Sequence, residues 1–332
     1  MLTRPLAARP NAYLMKKIVA FLAFSAFIQG CDDGDLTVEN IDFTSQTAAH
    51  CGNIVYKLKD TEAFFFEVAD HDALFINDAT PEGSPRTLPV NSTNRIFYRA
   101  YSGDIDDDVL CSSIPPATPS VVEEWTFTGD NGRIEVTTSP VIIANTELAG
   151  GEIIQKYRHD IVFRAVNKNT PSGTEFGDFT FGSYFTPANT LPFNFDDTAE
   201  SCGNLVYNIN GSEAVTLAIS PELIANEVTP VGTPRTALLG TATNVLTYTL
   251  FQSAVSSDYF CVAPTPTTPL IKEQWLGDAG VLNVSGTIEV TTTSSGPGVF
   301  LHEIRLKNAM FRKGNSAFKL ADNYLLGFLT TS

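Results

Sequence analysis

The sequence predicts an all-β protein built from two tandem, homologous antiparallel β-sandwich domains, each closed by one disulfide. Three observations predict it. First, Cys51-Gly52-Asn53-Ile54-Val55-Tyr56 returns as Cys202-Gly203-Asn204-Leu205-Val206-Tyr207, and the following landmarks return with it: Pro85-Arg86-Thr87 as Pro234-Arg235-Thr236, Tyr98 as Tyr248, Cys111 as Cys261, and Trp125 as Trp275. The offset stays between 149 and 151 residues, which marks duplication of a whole domain rather than short solenoid units. Second, the intervening segments are short β-branched and aromatic runs punctuated by turns, with no sustained helical period. Third, four of the five cysteines fall two per repeat.

The chain opens on a leader. Residues 1–14 read as an extension upstream of the true start. Met15-Lys16-Lys17 is a basic n-region, and Ile18 to Ile28 is apolar apart from Ser25. Such a run is too short to span a bilayer as a helix and fits the h-region of a signal peptide, so 15–30 is expected to be cleaved. Ile28-Gln29-Gly30-Cys31 resembles the lipobox of bacterial lipoproteins, with Gln29 in place of the small or apolar residue usual there. That resemblance implies lipidation at Cys31. Asp32-Asp33-Gly34-Asp35 resembles the surface-export signal of Bacteroidota lipoproteins, making 31–35 a lipidated acidic tether. The resemblance as a whole is to flavobacterial surface lipoproteins with tandem disulfide-bridged β-domains. It implies a lipid anchor in the outer membrane facing the cell exterior, and it carries no assigned activity.

Charge and cysteines bound the rest. The formal charge of the whole chain is −16, and residues 1–31 hold four basic and no acidic side chains. Without them 17 basic residues face 37 acidic ones, a net −20. That surface repels polyphosphate, so nucleic acid is excluded as a partner. Four cysteines permit three pairings, and two copies of one fold should bond alike, which selects Cys51 with Cys111 and Cys202 with Cys261. Each bridge would contribute on the order of 4 kcal/mol by loop closure and requires an oxidising compartment.

Repeat 1 is expected over 36–187. Ile54 to Leu58 alternates, Ala63 to Val68 carries Phe64-Phe65-Phe66, and Arg95–Tyr101, Arg133–Thr138, Asp160–Val166 and Phe176–Phe185 have similar strand content. Gly129-Asp130-Asn131-Gly132 is a hairpin signal, with Gly277-Asp278-Ala279-Gly280 in its place later. Proline-rich connectors follow each second cysteine and cannot donate into a central ladder. A tryptophan beside a bridge resembles immunoglobulin-like domains in architecture, although here it follows both cysteines. Two prolines and weak strand signal over Thr186–Pro192 place the boundary there, with repeat 2 over 191–332.

The candidate chemistry is thin. His159 and His302 occupy matching places beside Asp160 and Glu303, but adjacent strand residues face opposite sides, so a scaffold role is preferred to general-base or metal chemistry. Asp104, Asp106, Asp107 and Asp108 form the densest carboxylate cluster, a weak candidate for ligand or calcium contact. They lack the glycine and closing glutamate of an EF-hand and have no counterpart in repeat 2, which favours a solvated loop tip. Trp125 and Trp275 are expected in the cores rather than stacked on a sugar. No catalytic motif, cofactor fingerprint or zinc-ligand spacing is present. The expectation is therefore a non-catalytic, lipid-anchored outer-membrane binding or structural module, without cofactor, whose partners are the membrane and a glycan or protein at the cell surface. Two alternatives stand beside it: a glycan-binding accessory lipoprotein of a polysaccharide-uptake system, and a carbohydrate-active hydrolase, whose two acids need no local motif.

Overall fold

A computed structural model describes residues 41–332, so the upstream extension, the signal peptide, Cys31 and the tether at 32–35 lie outside the described residues. Residues Phe43–Ser332 form one compact unit holding both repeats. In repeat 1 the strands are β1 (Ala49–Cys51), β2 (Ile54–Lys59), β3 (Glu62–Glu67), β4 (Arg86–Pro89), β5 (Arg95–Tyr101), β6 (Val121–Thr128), β7 (Arg133–Ala144), β8 (Glu152–Thr170) and β9 (Gly173–Pro187). Repeat 2 supplies β10 (Glu200–Cys202), β11 (Leu205–Asn210), β12 (Glu213–Ala218), β13 (Arg235–Leu238), β14 (Val245–Phe251), β15 (Ile271–Gly277), β16 (Thr287–Gly296), β17 (Val299–Lys313) and β18 (Ser316–Thr331). The order is β1-β2-β3-β5-β6-β8-β7-β4 with β9 on β8, and β10-β11-β12-β14-β15-β17-β16-β13 with β18 on β17. Every pairing between these strands is antiparallel. The two repeats are therefore two antiparallel β-sandwiches of one connectivity.

The long strand β8 makes the sandwich close. It pairs β7 from Ala144↔Glu152 to Arg133↔Arg164, then β6 at Thr128↔Asn167 to Thr126↔Asn169. A bulge lies between Phe163 and Val166, where Ala165 takes φ +52°, and it turns one strand from one layer into the other. Asn308, at φ +48°, marks the same corner of β17.

Alternation on β3 sorts three consecutive rings. Phe64 and Phe66 point inward, where they meet Phe163 at 5.7 and 5.4 Å and Phe181 at 5.3 and 5.1 Å. Phe65 faces the other side and stacks on Phe97 at 5.1 Å. There it joins Tyr56, Tyr101, Val109 and Leu110 in a second small core beside the bridge. Repeat 2 has Val215 and Leu217 on the matching strand, and its main core mixes aliphatic residues such as Ile288, Ile304 and Leu306 with the rings of Tyr248, Phe311 and Phe318.

Disulfides join Cys51 to Cys111 and Cys202 to Cys261, with Cα atoms 5.7 and 5.5 Å apart. The first ties β1 to a one-turn helix, α1 being His71–Leu74 and α2 Asp108–Cys111. The bridge thereby pins α2 over the second small core. Non-reducing peptide maps should give those two linked pairs, and any peptide joining Cys51 to Cys202 or Cys261 would contradict the fold.

The repeats touch along β18. Lys319 N donates to Glu152 Oε2 at 3.0 Å and Asp322 N to Ala149 O at 3.0 Å. Ser316, fully buried at the start of β18, donates from its N and Oγ to the Asp78 carboxylate at 3.1 and 3.0 Å. Leu148 and Ile154 of repeat 1 pack directly on the core of repeat 2.

The segment entering each sandwich plugs it in the same way. Phe43 lies 6.5 Å from Tyr98, and Phe193 lies 4.3 Å from Tyr248. Glu213, buried on β12, accepts from Phe193 N (3.0 Å), Asn194 N (2.9 Å) and Tyr248 Oη (2.7 Å), so the inter-repeat chain is fixed to repeat 2 by a satisfied carboxylate.

Candidate functional site

The duplicated histidines are the centres of two identical hydrogen-bond chains. In repeat 1, Arg86 Nη1 donates to Thr138 Oγ1 (2.7 Å), Thr138 Oγ1 lies 2.8 Å from His159 Nδ1, and His159 Nε2 lies 2.8 Å from Thr186 Oγ1. Thr186 Oγ1 then donates to Asn77 Oδ1. Thr186 has one hydroxyl proton and gives it to Asn77, so His159 Nε2 must donate to Thr186 Oγ1, and the unprotonated Nδ1 accepts from the Thr138 hydroxyl. Repeat 2 repeats the chain as Arg235, Thr292, His302, Thr331 and Asn226. Burial, followed by the charges of Arg86 and His71, holds His159 down at about 4, with Asp160 opposing. His302 is lowered for the same first reason, with Arg235 adding to it. Both rings are neutral, wholly buried and saturated with partners, which makes them clamps between strands rather than bases. The Pro-Arg-Thr tripeptide is thereby explained, since it delivers the arginine that begins each chain.

The aspartate cluster builds a loop. Asp106 Oδ1 accepts from Asp108 N at 3.1 Å, Asp108 Oδ1 accepts from Ser112 Oγ at 3.1 Å, and the Asp107 carbonyl accepts from Leu110 N and Cys111 N. These bonds shape the entry to α2. Asp104 lies in the same loop, and among the described residues no group of three or more His, Cys, Asp or Glu is placed to hold a metal ion.

The tryptophans are both buried, at 2 % exposure, and both pack beneath a lysine: Lys168 Nζ is 5.3 Å from the Trp125 ring and Lys313 Nζ 5.0 Å from the Trp275 ring. Each has a glutamate two residues earlier on its strand. In repeat 1 the pair closes on itself, Trp125 Nε1 donating to Glu123 Oε1 at 2.6 Å. Repeat 2 differs. Glu273 Oε1 pairs with Lys313, and its Oε2 accepts from Asn189 Nδ2, a residue of the inter-repeat segment, at 2.6 Å. Trp275 Nε1 is left buried without an acceptor.

Trp275 is one of the residues lining a cavity of about 180 Å³ at the junction of the repeats. Ile153, Ile154 and Tyr157 of β8 form one wall, Asn189 to Leu191 and Phe193 the second, and Glu273, Trp275 and Phe318 the third. Phe318 meets the Trp275 ring edge-on at 5.0 Å, and Lys313 Nζ lies 6.0 Å from the Tyr157 ring as well as over Trp275. Tyr157 Oη is buried beside Ser316, whose Oγ accepts from Ala79 N and donates to Asp78. Burial pushes the Tyr157 phenol up to about 12, so it remains a donor. The cavity thus combines apolar walls with a few polar side chains, Gln155, Asn189, Thr190 and Glu273, the composition of a small-molecule pocket.

Sequence reasoning named Trp275 but placed no site around it, because Tyr157, Asn189 and Phe318 come together only through the contact between repeats. It also missed a cluster confined to repeat 1: His50 stacks on His71 at 4.4 Å, and Tyr184 Oη lies 2.8 Å from His50 Nδ1. Neither histidine is duplicated, so the repeat carried no signal for them.

The chain matches no family model, no curated protein and no solved structure.

Proposed function

We propose that this is a non-catalytic binding protein, lipid-anchored at Cys31 to the outer membrane and displayed outward, with the inter-repeat cavity as its ligand site. The observation that carries the binding reading is the cavity of about 180 Å³ between the repeats, where the apolar side chains of Ile153, Ile154, Leu191, Phe193 and Phe318 meet the polar ones of Gln155, Asn189 and Thr190. Of the residues lining that cavity one is a carboxylate, Glu273, and both its oxygens are committed to Lys313 and Asn189. Acid-base hydrolysis of a glycoside needs two available carboxyls across a cleft, so this lining favours binding over turnover. A glycan platform gains less support. Phe176 and Phe185, exposed at 69 % and 39 %, stand nine residues apart on β9, roughly 30 Å along an extended strand, too far to grip one short sugar segment together.

The anchor reading rests on the lipobox-like Ile28-Gln29-Gly30-Cys31 and the acidic run behind it. Cys31→Ala should shift the protein from the membrane pellet to the soluble fraction while leaving its thermal unfolding unchanged, since lipid and fold occupy different parts of the chain. Protease shaving of intact cells should remove the wild-type protein, and a screen of polysaccharides, esters and peptides should find no turnover. Retention of the Cys31→Ala protein in carbonate-washed membranes would refute the anchor, full protection from shaving would refute the outward orientation, and robust turnover would refute the binding module.

A further inference from the structure

We infer that the free edge of β13 takes up an extended segment of another protein as an added strand, and that the tip at residues 281–285 is the shelf that receives one of its aliphatic side chains. β13 is the last strand of its sheet and pairs on one side only, with β16. Leu239 N donates to Gly286 O at 2.8 Å. By antiparallel alternation Arg235 and Ala237 also point their backbone groups at β16, while Thr236 and Leu238 point theirs away from it. Asn244 Nδ2 donates to the Leu238 carbonyl at 3.2 Å. The N–H and C=O of Thr236 and the N–H of Leu238 are left along the edge, a row that an added strand satisfies at its own spacing.

The two repeats treat this edge differently. In repeat 1 the matching strand β4 ends in Pro89, which pairs with Arg133 as Leu238 pairs with Thr287. Val90 N donates to Gly132 O at 2.8 Å and Asn94 Nδ2 to Pro89 O at 3.0 Å, so Pro89 holds the outward-pointing place of Leu238. Proline has no N–H, and on an edge strand it blocks pairing with a further strand. Repeat 2 lacks that guard.

Repeat 2 also has a feature that repeat 1 lacks. From Trp275 to Ile288 the chain is four residues longer than from Trp125 to Ile134. The addition replaces the polar turn after β6 by a closed hairpin, in which Val281 N donates to Ser285 O at 2.9 Å and Ser285 N to Val281 O at 3.0 Å. Leu282 and Val284 stay 71 % and 66 % exposed on it. Ala237 packs against the core, so Thr236 and Leu238 turn their side chains to the opposite face. There they and Thr287 line, with Leu282 and Val284, a groove of about 480 Å³. Its two charged residues, Glu289 and Lys307, pair with each other at 3.3 Å. Every second side chain of a strand added to β13 falls on this face, and the groove suits an uncharged aliphatic one. A mature chain of net charge −20 repels a second copy of itself, which favours a foreign segment without acidic residues.

The test uses the mature chain carrying Cys31→Ala and the peptide acetyl-Lys-Val-Thr-Leu-Thr-Val-Lys-amide, in about 0.15 M salt, where long-range charge effects are screened. Calorimetry should show saturable binding, and amide exchange at Thr236 and Leu238 should slow by about tenfold or more on adding the peptide. The same peptide N-methylated at its leucine and at the threonine after it loses one donor on each edge and should bind about tenfold more weakly. Leu238→Pro, which copies the residue repeat 1 carries at this place, should weaken the parent peptide as much, and Leu282→Ser should weaken it about fivefold. Should Leu238→Pro disturb the fold, the two peptides on the parent protein decide alone. No saturable binding, equal binding of both peptides, undiminished binding to a folded Leu238→Pro variant, or protection elsewhere than at Thr236 and Leu238 would overturn the added strand. Unchanged affinity in Leu282→Ser would overturn the shelf. Protection of those two amides without peptide, growing with protein concentration, would make the occupant a second copy and overturn the foreign segment. None of these outcomes bears on the inter-repeat cavity or on membrane attachment.

Discussion

Asp78→Ala should cost the folded protein about 3 kcal/mol, because one carboxylate of repeat 1 holds the turn that starts β18 in repeat 2. It accepts from Asn315 N at 3.0 Å, Ser316 N at 3.1 Å and Ser316 Oγ at 3.0 Å. Hydrogen bonds to a charged acceptor contribute roughly 1.5–3 kcal/mol each, and the partial exposure of Asp78 reduces the total through solvent screening. The loss also strands Ser316, which is fully buried, so its amide has no water to turn to. Urea unfolding measures the change directly. Gly314→Ala provides an independent route to the same contact. Gly314 takes φ +55°, and a Cβ there would stand 2.1 Å from Asp78 Oδ2, so the carboxylate must move away. Because both changes break one set of bonds, the double variant should be less destabilised than the sum of the singles by at least about 1 kcal/mol. Simple additivity would mean that Asp78 does not join the repeats as described. For scale, Asp70→Ala removes only the side-chain cap of α1, the bond from Ala73 N at 3.0 Å, and should cost about 1 kcal/mol.

How far the sequence could be read follows from where its regularities lie. Duplication exposed several features that both copies share: the bridges, the buried tryptophans and the paired histidines. It identified Pro85-Arg86-Thr87 as meaningful without giving the reason, since Arg86 acts through Thr138 and His159, partners 52 and 73 positions away. Strand lengths were legible only in part. Asp160–Val166 was expected where β8 runs from Glu152 to Thr170, because the bulge at Ala165 breaks the two-residue period that marks a strand. The candidate site was hidden for a different reason. It depends on the inter-repeat segment, which has no duplicated landmark, and on a surface of repeat 1 meeting a surface of repeat 2. A single sequence holds no periodic trace of either. Asp104 to Asp108 illustrates the converse, a dense cluster conspicuous in sequence whose carboxylates at 106 and 108 serve the turn into α2.

Acidification from pH 7 to pH 5 should destabilise the protein by about 2 kcal/mol through His159 alone. Its native value is held at about 4 by burial, against an ordinary 6.5 in the unfolded chain. Between those two values the unfolded state binds a proton that the native state refuses, so stability rises with pH across this window and is lost as pH falls through it. The limiting slope is about 1.4 kcal/mol per pH unit for each such histidine. His302 adds in the same direction, buried in the matching chain of Arg235, Thr292 and Thr331. His50, also lowered by burial and by His71, contributes with the same sign. Carboxylates ordinarily titrate near 4, so the interval from pH 7 to 5 isolates the histidines. Urea unfolding at pH 7, 6 and 5 reads the loss. Carbon resonances of the imidazole rings should show His159 neutral at pH 5 with its proton on Nε2, the tautomer that the Arg86-to-Asn77 chain requires. His159→Gln should lower stability at pH 7, because Thr138 and Thr186 lose their common partner, while flattening the slope between pH 7 and 5 by about one proton. An unchanged slope in that variant, or a His159 ring titrating near 6.5, would show that the chain of hydrogen bonds does not hold the histidine neutral, and the clamp assigned to both repeats would fail with it.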